Sequence, residues 1–115
     1  MSVGEVALVP LAGRTAGAVA ELRREAVSAV VHQQRVRAEL SRIGPQAASI
    51  EERAYRALRR RKETLARRIL AQGIPTLKTR DALVEEAAEA RRRVSELLTA
   101  LVRAENRAWN LGAAR

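Results

Sequence analysis

From Leu83 onward the chain places an apolar residue at alternating steps of four and three: Leu83, Ala87, Ala90, Val94, Leu97, Leu101, Ala104, Ala108 and Leu111. Such steps keep side chains on one stripe of an α-helix, whereas a half-buried strand needs steps of two. An unbroken repeat of this kind commits the segment to a long helix packed along a seam. Val84, Leu98, Val102 and Trp109 make a second row beside it. The apolar face is then wider than one neighbour covers, and the pattern predicts burial against two.

Two further helices are predicted upstream, each ended by a glycine and a proline. Val19, Leu22, Ala26, Ala29, Gln33, Val36, Leu40 and Ile43 follow the same spacing and stop at Gly44-Pro45, a pair that leaves the helix and then lacks a backbone donor. Ser49-Ile50-Glu51-Glu52 reads as a capping box opening a second helix. Its stripe is Ala54, Leu58, Leu65 and Ile69, interrupted by Arg61 and Lys62, and Gly73-Ile74-Pro75 reads as its left-handed cap and stop. The third helix opens near Thr79-Arg80-Asp81 and ends before Gly112. The expected fold is all-α, an up-down-up antiparallel three-helix bundle with helices at about 15–43, 50–72 and 80–111. An extended apolar N-terminal arm (1–14), suited to docking on a partner subunit, and a short tail (113–115) flank this single domain of residues 15–112.

Composition narrows the function. Cysteine is absent and His32 is the one histidine, which removes disulfides, thiol nucleophiles and the usual zinc ligand sets. Aspartate occurs once, at Asp81, and the 12 glutamates are spread over the predicted helices, so a clustered carboxylate site for magnesium or glycoside chemistry is not expected. No catalytic, metal or cofactor site is assigned, and no small-molecule substrate. His32, at the edge of a seam, reads as a boundary residue. No run reaches the ~18 apolar residues of a membrane span, and the chain reads as cytoplasmic, with no membrane partner. Of 115 residues 23 are alanine, so the core is thin and made by close helix contacts.

Charge points to a partner. The chain carries 22 Lys and Arg against 13 Asp and Glu, a net charge of +9, and 20 of the basic residues are arginine. Residues 80–111 hold six charges of each sign, whereas 49–72 hold eight basic residues and three acidic ones. On a helix at ~100° per residue, Arg53, Arg56, Arg60 and Arg67 fall within about 60° of one another over about 21 Å. Arg61 and Arg68 flank this ridge, and Arg24, Arg35 and Arg42 on the first helix offer secondary contacts. A one-sided row of guanidinium groups suits a polyphosphate backbone. The competing reading is an ordinary solvated face in an arginine-rich protein. Base-stacking recognition needs an aromatic platform, and Tyr55 and Trp109 stand on different helices, where both read as packing residues. Helix-turn-helix readers use short helices about a tight turn. The expected binding is therefore to phosphates and independent of sequence.

A basic, cysteine-free, three-helix protein of this size with no catalytic constellation resembles the small subunit of class 1, multi-subunit CRISPR effector complexes. The resemblance lies in architecture and charge placement over Thr15–Leu111. It implies several copies associating side by side along a larger ribonucleoprotein, with basic faces toward crRNA or the target strand, and larger subunits as partners. A DNA-wrapping coat or nucleoid protein of a virus or phage would use the same ridge. A helical protein-protein adaptor would use the seam of the last helix and no nucleic acid.

Overall fold

The computed structural model describes residues 3–113, with side chains described over 16–112. It contains two helices, α1 (Val3–Arg59) and α2 (Glu63–Ala113). The all-α expectation holds, and the three-helix bundle does not. Both expected breaks lie inside helices: Gly44 and Pro45 within α1, and Gly73 and Pro75 within α2. Ser49 sits in the interior of α1 and caps nothing, and the backbone of residues 3–13 is the first part of α1 instead of an extended arm. Met1, Ser2, Ala114 and Arg115 lie outside the described residues, and so does the docking role given to the arm's side chains.

The physical reason is the seam. In α1 the alternation does not stop at Ile43 but continues in phase through Ala47, Ile50, Ala54 and Ala57. In α2 it extends backwards from Leu83 through Arg80, Thr76, Gly73, Ile69 and Ala66. Every position of both runs is buried or half-buried. A proline inside a helix costs roughly 3 kcal/mol. Here Pro45 and Pro75 lie on exposed faces, as do Ser41 and Ala71, the residues whose carbonyls lose their helical partners. A helix that continues past each proline keeps several more seam residues packed, and that gain is the larger one.

The turn falls where the seam fails. Continued past Ala57, the α1 phase would bury Arg61, Thr64 and Arg68; continued before Ala66, the α2 phase would bury Lys62 and Arg59. Neither helix can go on without burying unpaired charge. The chain reverses through a Schellman motif: the Lys62 amide donates to the Ala57 carbonyl at 2.8 Å and the Arg61 amide to the Leu58 carbonyl at 2.9 Å. Arg61 occupies the left-handed position with φ of 60°. The Lys62 carbonyl accepts from Ala66 at 3.0 Å, so α2 starts at once. No glycine with positive φ occurs among the described residues, and Gly73 is not the cap it was expected to be.

The packing divides into two units, each holding part of both helices. The unit of residues 33–89 contains the turn and a core of small residues: Ala47, Ala54, Ala57 and Ala66, with Val36 and Ile43. At Gly73 the helices come so close that a Cβ would lie 2.5 Å from the Cγ2 of Ile50. Such contacts draw helix axes to the low end of the usual ~8–10 Å range. Arg80, on the seam, is bonded to Glu51 across the pair and to Asp81 at 2.9 Å.

The other unit joins α1 up to His32 with α2 from Ala90. Val19 and Ala26 pack there with Ala90, Leu97 and Ala104. Cross-helix pairs Arg23–Glu105 and Arg93–Glu25, both at 3.5 Å, run in antiparallel order. The second row of α2 is not covered. Val84, Leu98, Val102 and Trp109 are all exposed, as is Tyr55, so the two aromatic residues are surface residues rather than packing ones.

Candidate nucleic-acid interface

The ridge expected on one straight helix face is folded back on itself. Arg53 and Arg56 belong to the end of α1, Arg60 and Arg61 to the turn, and Arg67 and Arg68 to the first turns of α2. A single line of guanidinium groups over about 21 Å along one helix axis is thereby corrected. What replaces it is a cluster about the turn. Residues 53–68 hold eight basic side chains, Arg53, Arg56, Arg59, Arg60, Arg61, Lys62, Arg67 and Arg68, with Glu63 as the one acid. All eight are exposed and all belong to the unit of residues 33–89.

Two of the eight are engaged locally. Arg56 pairs with Glu52 at 3.0 Å, and Arg67 with Glu63 at 3.8 Å. Arg53, Arg59, Arg60, Arg61, Lys62 and Arg68 take part in none of the ion pairs found among the described residues. The end of α1 and the start of α2 meet here with dipoles of opposite sign, which largely cancel. The field at the turn is therefore set by its side chains. Arg59 and Lys62 escape notice on a helical wheel because a wheel assumes an unbroken helix. The phase break after Ala57 is the signal that places them at the turn.

The secondary contacts do not join this cluster as a set. Arg24 belongs to the other unit, and Arg35 and Arg42 lie on α1 well before the turn. Arg42 is bound to Glu39, a hydrogen bond that holds the Glu39 carboxyl below the ordinary carboxylate range and raises the Arg42 guanidinium. Arg80 is raised by its hydrogen bonds to Glu51 and Asp81. His32 is exposed beside Glu25, Ser28 and Arg93 in a shallow cleft of about 270 Å³ that Ala29 and Leu97 also line. Among the described residues no group of three or more His, Cys, Asp or Glu side chains is placed to hold a metal ion. No described helix is long and apolar enough to cross a membrane. The sequence matches no protein-family model, and no curated protein and no solved structure matches it either.

Proposed function

We propose that the chain is a non-enzymatic structural protein that binds the phosphate backbone of nucleic acid, without regard to sequence, through the cationic turn at residues 53–68. In this reading it works in the cytoplasm, in several copies, within a larger ribonucleoprotein. The observation that carries it is the set of six cations at the turn that enter no ion pair among the described residues. A solvated surface with no polyanion to meet normally mixes its charges, as the six and six of residues 80–111 do. With two helices in place of three, the likeness to CRISPR small subunits rests on size and charge alone. The adaptor reading is the second one, favoured by the exposed row Leu98, Val102 and Trp109.

The test is a salt titration of binding to single-stranded RNA, single-stranded DNA and duplex DNA. The variant is Arg59→Ala/Arg60→Ala/Lys62→Ala/Arg68→Ala, which spares Arg61 and its left-handed backbone. At ~0.7 released ions per contact, four lost contacts lower the magnitude of the log K against log[salt] slope by about 3 on single strands. Arg103→Ala/Arg107→Ala, in the other unit, should leave the slope unchanged. Equal slopes for wild type and the turn variant, or no binding at all, would make the protein-protein adaptor the better reading.

A further inference from the structure

In the unit of α1 up to His32 and α2 from Ala90, the seam divides two unlike flanks. The residues that follow a seam position include the apolar Val27 after Ala26, Val30 after Ala29, Leu98 after Leu97 and Val102 after Leu101, with Ser95 among them and the charged Arg23, Arg91 and Glu105 toward the ends. Residues that precede one are mostly polar, Glu25, Ser28, His32 and Arg93 among them. In an antiparallel pair the following residues of both helices fall on one side, and the grooves bear this out. One, of about 440 Å³, is lined by Val27, Val30, Val31, Leu98 and Leu101 with Arg23 at its edge, whereas Glu25, Ser28, His32 and Arg93 line the opposite one beside Ala29 and Leu97. Val27 is 65% exposed, Leu98 47%, Val102 57% and Trp109 76%.

Together with Val31 these side chains leave on the order of 500 Å² of apolar surface open, near the top of the ~300–600 Å² seen for a monomer's largest patch. It also equals the apolar share, about 57%, of the ~800 Å² that each partner contributes to a standard interface. Ser95 and Thr99 are the polar neighbours at its centre, and neither is charged. Arg23 also lines this groove, and its charge is met by Glu105.

Between Val102 and Trp109 the flank carries Arg23 on α1 and Glu105 on α2, paired at 3.5 Å and so at one level. Opposite charges on the two helices at one level make the flank complementary to itself. A two-fold axis parallel to the helices sets α1 of one copy against α2 of the other. Arg23 of each copy then meets Glu105 of its mate, and the valines of α1 meet Leu98 and Val102. We propose that this flank docks a second copy of the chain about such an axis, forming a four-helix contact. The inference deepens the several-copies part of the function proposed above and is independent of its nucleic-acid part.

Sedimentation equilibrium on the full chain, cleared of nucleic acid by nuclease and high salt, tests it. The expected mass is twice 12.6 kDa, falling toward the single-chain value on dilution. A single-chain mass up to ~100 μM overturns the proposal. Val102→Glu should be monomeric with unchanged helicity, and a dimer as tight as wild type overturns it. Should that variant lose helicity, the charge series decides. Arg23→Glu and Glu105→Arg should each weaken the dimer about tenfold or more, and their combination should restore it. A combination as weak as the single changes overturns the pairing. The turn variant Arg59→Ala/Arg60→Ala/Lys62→Ala/Arg68→Ala should dimerise normally, so failure of the dimer and failure of the nucleic-acid reading are seen separately.

Discussion

Arg61 occupies a backbone position that favours glycine. A left-handed φ costs an L-residue about 1–2 kcal/mol, and Arg61 accepts it because the Schellman hydrogen bonds and the packing of both helices require a reversal there. Arg61→Gly should therefore raise stability by about 1 kcal/mol after the greater freedom of glycine in the unfolded chain is subtracted, a rise of roughly 4 °C in Tm. In an unbroken helix the same change would lower stability by about 1 kcal/mol, so the sign of the shift in a thermal melt reports where the chain turns. Gly73 has a different role. It is helical with ordinary φ, and it is glycine because Ile50 occupies the space a methyl group would need.

At the scale of the element, a few local signals compete with a long periodic one. Gly44-Pro45 and Gly73-Ile74-Pro75 are sound stop signals taken alone. They lose because each helix gains seam packing along its whole continuation, and because the prolines face outward. Gly44 makes this testable, since a Cβ there meets nothing within 4 Å. Gly44→Ala should stabilise the protein by about 1 kcal/mol and Gly44→Ala/Pro45→Ala by about 2–3 kcal/mol, with helicity unchanged or higher by circular dichroism. A turn at this place would lose stability on either change.

Among the described residues, the core is made largely of alanines and glycine rather than bulky side chains, and no large side chain is fully buried. Small residues let helices approach, but they remove little apolar area from water. Stability borrowed from a second copy would then show as mass action. Tm should rise with protein concentration for wild type and stay constant for Val102→Glu. A Tm independent of concentration in both would mean that the alanine seam suffices without the dimer. The cationic turn contributes nothing comparable, because its charges are exposed and repel one another.

Sequence alone determined the helical character, the alternations over residues 19–43 and 83–111, and the concentration of positive charge in residues 49–72. Each is a property of near neighbours, read from spacing. The phase break between Ala57 and Ala66 was legible too, as the interruption by Arg61 and Lys62 between Leu58 and Leu65, but a stripe drawn across it gave those two leucines to a core. Both are exposed. Tertiary structure decided which signals prevail, because the gain from pairing seams accumulates over many residues distant in sequence, while a glycine or proline acts at one place. It decided the site for the same reason. Once the helices pair to Ala57 and Ala66, the basic residues between them have no seam to join and are left together at the turn.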